Sequence, residues 1–209
     1  MVLWRPVGLG EMELIFESKM KSFPPRLPEQ PIFYPVLNEE YATQIARNWN
    51  ANETPFAGYV TRFNIPESYV RQFPRHVVGG REHEELWVPA EDLPHFNANI
   101  EGKIAVVSAF FGPRFRGHIP SRFGLANMSA TRQIQALAAT WSYSKMDFHL
   151  ETRANEVSVY LNFPFWVASS PSELGVDTGE LGSALDGIRR SWGMGERTAP
   201  LIERGQIAV

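Results

Sequence analysis

The stretch GYVTRFNIPESYVRQFPRHVVGGREHEELWVPAEDL, from Gly58 to Leu93, decides the fold that the sequence predicts. Its first part, Tyr59 to Ile65, is rich in aromatic and β-branched residues and predicts a strand, which Pro66 ends because proline has no N–H to give to a ladder. After a pair of glycines, His83 to Val88 predicts a second, buried strand. The acidic residues at the start of this apolar strand are expected to lie at the edge of the sheet. We look for a functional site there.

Three carboxylates, Glu82, Glu84 and Glu85, surround His83 where this second strand begins. Because side chains alternate along a strand, Glu84 and Glu85 face opposite ways, and the sequence leaves open which of them faces a cleft. We rank Glu85 first, since it would share its face with His83 and Trp87. An ordinary solvated strand end is the alternative. One histidine among adjacent carboxylates lacks the spacing of metal ligands, so no metal site is predicted.

Composition bounds the class of protein. At 209 residues, 44% of them hydrophobic, the chain is long enough to bury a core. No apolar run approaches the roughly 20 residues that cross a bilayer, and a secretory signal is lacking, so we expect a soluble protein that is not exported. The absence of cysteine removes disulfides and thiolate sites and fits a reducing cytoplasm. A net charge of −3 argues against a general nucleic-acid binder.

The sequence divides into two units. Residues 1–112 predict a first α+β domain, in which strands alternate with short helices and a proline-rich loop. The glycine-, proline- and arginine-rich segment 113–124 predicts a linker. Residues 125–198 predict a small α+β domain made of a helix, a β-hairpin over 146–163 and a final helix, and 199–209 predict a tail. We expect this second unit to dock on the first or on another subunit.

Several segments of the first unit carry a family resemblance. LWRPVG, FPPRLPEQPIFYPVLNEEYA, GYVTRF and HEELWVPAEDL, followed by FNANIEGKI, together resemble a group of short bacterial proteins that bear the label ADP-ribosylation and crystallin J1. The resemblance covers about residues 1–110. It implies the fold of the ADP-ribosyltransferases, a split β-sheet in which two small sheets form a cleft that grips NAD.

The resemblance also implies site residues. The superfamily's first strand offers an arginine or histidine to the cofactor, which corresponds to Arg5 in this sequence. Its middle strand offers a tyrosine or hydroxyl, which corresponds to Tyr59 or Thr61, and its late strand offers a glutamate, which corresponds to Glu85 or Glu84. A carboxylate there stabilises the oxocarbenium-like centre left when the nicotinamide–ribose bond breaks, and an arginine grips phosphate or ribose as a forked donor.

Two further residues complete the expected cofactor site. Tyr34, in the proline-rich loop, would cover the ligand, and His83 would line the cleft. Packing is the alternative for Tyr34, and an ion pair with an early glutamate is the alternative for Arg5. The crystallin J1 part of the label implies hydrolases with clustered aspartates, and we reject it because Asp92 is the one aspartate in residues 1–112.

Two functions therefore compete. The first is an enzyme that binds NAD and transfers ADP-ribose to an unknown acceptor, possibly a protein. The second is a non-catalytic module that retains the fold and acts through protein contacts of its second half. The superfamily's Ser-Thr-Ser middle-strand motif is absent from this sequence, which bears on the first of them.

Overall fold

The computed structural model describes residues 1–80, 83–203 and 207–209, so Glu82 lies outside the described residues. The first half alternates strands with short helices, as predicted. Its elements are β1 (Val2–Gly8), α1 (Leu9–Glu17), β2 (Ile32–Phe33), α2 (Glu39–Ile45), β3 (Ala57–Asn64), α3 (Glu67–Val70), β4 (Arg75–Val77), β5 (Glu84–Leu86), β6 (Val88–Pro89), α4 (Leu93–Ala98) and β7 (Glu101–Phe111).

Helix α2 begins at a side-chain cap and ends in a wider turn. The Asn38 side chain accepts hydrogen bonds from the N–H groups of Glu40 and Tyr41, which fixes the start of the helix. After Ile45 the chain continues through a π-helical turn, Ala46–Asn50, that packs closely on β3. Gly58 of β3 makes this approach possible, because a Cβ there would lie 2.1 Å from the Ala46 carbonyl oxygen.

The second half is helical. It contains α5 (Ala130–Tyr143), α6 (Lys145–Ala154), α7 (Glu156–Ala168), α8 (Pro171–Leu174) and α9 (Thr178–Trp192), followed by the short strand β8 (Ile207–Ala208). The helices predicted before and after the hairpin are present. The predicted hairpin over 146–163 is wrong, since this region forms α6 and α7. The protein as a whole is α+β, but its second half is not the small helix-hairpin-helix unit that the sequence predicts.

The hairpin prediction failed because α7 is buried on nearly all sides. Its apolar residues alternate with Ser158, Tyr160 and Asn162, a pattern that resembles the two-residue period of a strand. In the structure these three side chains are as buried as their apolar neighbours. A helix without a solvent face carries no helical period in its sequence.

The main sheet has the strand order β1-β3-β7-β8. Strands β1, β3 and β7 are antiparallel neighbours, and β8 pairs in parallel with the far edge of β7. Two further pairs, β2 with β6 and β4 with β5, lie beyond β1. The side chains of Leu3, Arg5 and Val7 point to one face of β1 and are buried there, as the alternation predicts.

One hydrophobic cluster joins both halves of the chain. It includes Tyr59 and Phe63 from the sheet, Phe16 from α1, and Leu161 and Phe163 from α7. The segment 113–124 contains no helix or strand, but it is tied to the helical half by hydrogen bonds rather than free of it. The two units predicted from the sequence therefore share their core.

Candidate functional site

At Val36 the two parts of the sheet are joined through a single residue. This residue pairs with Trp4 of β1 on one side and with Glu85 of β5 on the other. Its N–H and C=O exchange hydrogen bonds of 2.7 and 3.0 Å with Trp4, and the N–H of Leu86 donates to the Pro35 carbonyl at 2.9 Å. Strands β4 and β5 thus join the main sheet through a bridge of a single residue, and the sheet is split at that point.

The Glu85 carboxylate lies at this split and is held by two neutral donors. The Tyr41 hydroxyl, from α2, donates to Oε1 at 2.8 Å. The indole N–H of Trp87 donates to Oε2 at 3.3 Å. Each carboxylate oxygen therefore has one fixed partner, and neither partner carries a positive charge that would neutralise the carboxylate.

Aromatic and imidazole rings surround this carboxylate. His83 stacks on Tyr41 with ring centroids 4.2 Å apart and planes 13° from parallel. His76 packs on Trp87 at 4.0 Å, and Tyr34 meets Trp87 edge-on at 5.7 Å. The structure thus brings together three of the predicted residues, Glu85, His83 and Tyr34, with Tyr41 and Trp87 as the links between them.

A polar pocket of about 490 Å³ opens beside the stacked pair. Its walls come from His83 and from one side of α2 and the π-helical turn after it. The residues on that side are Glu40, Tyr41, Thr43, Gln44, Arg47 and Asn48. A ligand in this pocket would lie against the imidazole of His83 and the ring whose hydroxyl holds Glu85.

The Tyr41 hydroxyl stays protonated and donates a hydrogen bond. Burial, followed by its hydrogen bond to the Glu85 carboxylate, raises the pKa of Tyr41 to about 12. Both effects favour the protonated phenol, because a phenolate would be poorly hydrated and would face a carboxylate of like charge. Tyr41 therefore donates to Glu85 throughout the physiological pH range.

The Arg5 guanidinium forms hydrogen bonds within the protein. Its Nε and Nη2 donate to the two carboxylate oxygens of Glu11 at 2.8 and 3.2 Å, and its Nη1 donates to the Tyr34 carbonyl at 3.0 Å. The guanidinium also lies over the Phe33 ring, 4.6 Å from its centroid. Arg26 approaches the same Glu11 at 3.9 Å. The arginine expected to grip a cofactor thus forms the structural ion pair that was its alternative.

Arg5 and Glu85 lie on opposite faces of the sheet. Residues that pair directly across strands share a face, so Trp4, Val36 and Glu85 point the same way. Arg5 follows Trp4 in β1 and therefore points the other way. The structure does not bring these two predicted residues together.

Tyr59 and Thr61 are buried structural residues. Both are fully buried on the Arg5 side of β3. The Tyr59 hydroxyl donates to the Leu161 carbonyl of α7 at 2.9 Å, and the Thr61 hydroxyl donates to the Arg5 carbonyl at 2.8 Å. Neither side chain reaches the pocket beside His83.

Glu84 faces away from Glu85. By alternation it shares the face of Leu86, which is buried in the main core. Among the described residues, the Glu84 carboxylate has no hydrogen-bond or ion-pair partner, while its backbone carbonyl accepts from Leu37. Of the two glutamates, Glu85 is the one that lies in an organised site.

Sequence reasoning missed Tyr41 as a functional residue. Its spacing with Ile45 and Trp49 indicates only a packed helical stripe, because the partner carboxylate lies 44 residues further along the chain. The sequence does show Asn38, a residue that caps helices, with Tyr41 three residues after it. That signal places Tyr41 in the first turn of a helix but gives no partner.

Other kinds of site find no support in the described part of the chain. No group of three or more histidine and carboxylate side chains there could hold a metal ion. Within the same residues, no helix has both the length and the apolar character needed to cross a bilayer. A scan against protein-family models and searches of curated proteins and of solved structures find no match.

Proposed function

We propose that the chain is an NAD-using, ADP-ribosyltransferase-like protein in which Glu85 is the cleft carboxylate. The observation that carries the proposal is the setting of Glu85 at the split of the sheet. Two neutral donors hold its carboxylate, and one of them, Tyr41, lines a neighbouring pocket with His83. A carboxylate fixed in this way has its full charge available for a cationic centre on a ligand.

The split sheet supports the same proposal. The resemblance implies two small sheets that form a cleft, and the single bridge at Val36 divides the strands into β1-β3-β7 on one side and β4-β5 on the other. Glu85 lies on β5, the later of the two strands β4 and β5, and the resemblance assigns the glutamate of the superfamily's late strand to it. The proposed cleft therefore lies where the two groups of strands separate.

The proposed reaction needs no further cofactor. The bond between nicotinamide and C1′ of the ribose breaks, and its electron pair leaves with nicotinamide. Glu85 stabilises the positive charge that develops on the ribose. A nucleophilic atom of the acceptor then bonds to C1′ and releases its proton.

The role of Arg5 in this proposal is indirect. Its guanidinium holds the Tyr34 carbonyl, and the Tyr34 ring packs on Trp87, which donates to Glu85. Arg5 is thus a positioning residue. The pocket beside His83 is lined by one acidic and one basic side chain, Glu40 and Arg47.

A second function is favoured by one observation. Arg5, Tyr59 and Thr61, three of the residues that the resemblance assigns to NAD, all have structural partners. That pattern fits a non-catalytic module that retains the fold and acts through protein contacts. The two functions differ in whether NAD binds and is cleaved.

The test is NAD binding by calorimetry together with nicotinamide release followed by chromatography. The variants are Glu85→Gln and, as a matched control on the same strand, Glu84→Gln. We expect both variants to bind NAD like the wild type. Nicotinamide release should fall by about 100-fold or more in Glu85→Gln, because a carboxylate that stabilises the transition state is lost. It should be unchanged in Glu84→Gln.

Two outcomes would count against the enzyme. Equal loss of release in both glutamine variants would show that Glu85 has no special role. The absence of heat with NAD at millimolar concentration would favour the non-catalytic module, and the partner of the helical half would then be sought.

A further inference from the structure

A second polar cluster joins α1, the segment 113–124 and α7. Ser158 Oγ lies 2.7 Å from Nδ1 of His118, and Nε2 of the same ring lies 2.9 Å from Oε1 of Glu13. An ionised carboxylate only accepts hydrogen bonds, so Nε2 donates to Glu13, and in the neutral ring Nδ1 then offers its lone pair to the Ser158 hydroxyl. We propose that Ser158 is a nucleophile, that His118 is its general base, and that the chain cleaves small esters at this site, apart from the site of Glu85.

The main chain of His118 is held rigidly. Its N–H donates to Asn162 Oδ1 at 2.8 Å, and its carbonyl accepts from Gln133 Nε2 at 2.8 Å and from Asn162 Nδ2 at 3.0 Å. The preceding Gly117 has φ of +92°, and a Cβ there would lie 2.6 Å from the Cβ of Ala130. A glycine is therefore required, and the imidazole is positioned before any substrate arrives.

The cluster faces a pocket of about 490 Å³ that Glu13, His118 and Ser158 all line. Ser158 lines this pocket and is only 1% exposed, so its hydroxyl is shielded from bulk water. The nucleophile, its base and the group that orients the base thus meet in one cavity, which is the arrangement that activates a serine.

Helix α7 supplies donors for the charge that would develop on a substrate carbonyl. Ser158 is the third residue of this 13-residue helix, and no side chain caps the helix start. The first N–H groups of a helix lack intrahelical partners, and a helical side chain leans toward the N-terminus. The Ser158 hydroxyl therefore lies in the first turn of α7, where the partial positive charge of the helix start stabilises an oxyanion.

Two residues that line the pocket also carry buried acceptors. Among the described residues, Oδ1 of Asn155 and Oε1 of Glu156 have no hydrogen-bond partner, and both residues line the pocket. Asn155 is only 4% exposed. Both oxygens are shielded from the pocket, so they do not select the substrate, and the class we assign to the site is small esters in general.

The proposed reaction balances without a cofactor. The Oγ of Ser158 forms a bond to the ester carbonyl carbon while its proton passes to Nδ1 of His118. The bond from that carbon to the alcohol oxygen breaks, and the alcohol leaves with this proton. Water then attacks the acyl-serine, again through Nδ1, and releases the carboxylic acid and free Ser158. Glu13 remains ionised and holds the Nε2–H throughout, so it is a positioning residue.

The first test is labelling of the full-length protein with a fluorophosphonate, a probe that reacts with activated serines, followed by intact mass and peptide mapping. Ser121→Ala is the matched control, because Ser121 is an exposed serine that lines the same pocket. We expect one adduct, on Ser158, in the wild type and in Ser121→Ala, and none in Ser158→Ala. An unlabelled wild type, or an adduct on another residue, would overturn the proposal whether or not the variants fold.

The second test is hydrolysis of 4-nitrophenyl acetate. We expect kcat/KM to fall by about 100-fold or more in His118→Gln, since the general base is lost. In Glu13→Gln we expect kcat to fall while KM is unchanged, because only the orientation of the base changes. Circular dichroism melts of both variants establish that they are folded. Activity unchanged in a folded His118→Gln protein would also overturn the proposal.

Discussion

Arg5 and Glu85 both carry partly buried charged groups. The partner of Arg5 is charged, whereas the partners of Glu85 are neutral. Arg5 faces a carboxylate of opposite charge, so its positive charge is already compensated. Glu85 is held by a phenol and an indole, which fix its position without neutralising it. At this scale the electrostatics favour Glu85 as the functional group and Arg5 as a structural one, although the resemblance points equally to both.

The ion pair of Arg5 predicts a stability effect. Arg5→Ala would leave the partly buried Glu11 with only the more distant Arg26, so we expect the free energy of unfolding to fall by about 2–3 kcal/mol. Urea unfolding followed by tryptophan fluorescence measures this change. Arg71→Ala is the control, because Arg71 forms an exposed ion pair, and it should leave the midpoint unchanged. Equal effects in the two variants would show that Arg5 is not a structural residue.

Tyr41 predicts a dependence of stability on alkaline pH. Its pKa is raised to about 12 in the folded protein, above the value near 10 of an exposed tyrosine. The folded state therefore holds the proton more tightly, and this contribution to stability is complete below about pH 10 and is lost as the pH rises to about 12. Urea midpoints between pH 9 and 12 measure the loss, and Tyr41→Phe should fall less steeply than the wild type. Parallel curves would contradict this assignment of the pKa.

At the scale of elements, the sequence predicts β3 and α9 correctly and fails for α6 and α7. Strand β3 ends before Pro66, and α9 presents one apolar stripe, so proline chemistry and the 3.6-residue period place both correctly. Helix α7 has no such stripe, and its alternation of apolar and polar residues imitates a strand. Its Ser158 and Asn162 side chains are buried because they hydrogen-bond to His118 and Gln133, and these tertiary contacts leave no trace in the local sequence.

Alanine substitutions at two glycines of α9 are expected to change stability in opposite directions. They test how the helices pack. A Cβ on Gly187 would lie 2.8 Å from the Trp141 ring of α5 and 3.0 Å from the Phe148 ring of α6, whereas a Cβ on Gly182 meets nothing within 4 Å. We expect Gly187→Ala to destabilise the protein by about 1–3 kcal/mol through overpacking. Gly182→Ala should stabilise it by up to about 1 kcal/mol through helix propensity.

Thermal melts followed by circular dichroism at 222 nm compare the two alanine variants. Gly187→Ala should melt below the wild type and Gly182→Ala above it. A melting temperature for Gly187→Ala at or above that of the wild type would mean that α6 does not pack on α9 as described.

At the scale of the whole molecule, the α+β class could be predicted but the common core could not. The contact of Tyr59 with Leu161 joins residues 102 positions apart, and a pattern within a short window carries no information about such a pair. The candidate site shows the same limit. Glu85, His83 and Trp87 are neighbours in sequence and were grouped correctly, whereas Tyr41 reaches them only through the folded chain.

The shared core also sets an order for folding on the ribosome. The sheet face that carries Leu3, Val7, Tyr59 and Phe63 is packed in the same cluster as Leu161 and Phe163 of α7. While the first 112 residues emerge, that apolar face has no helix α7 to cover it. This face of the nascent sheet therefore stays uncovered by α7 until about residue 168 has left the exit tunnel.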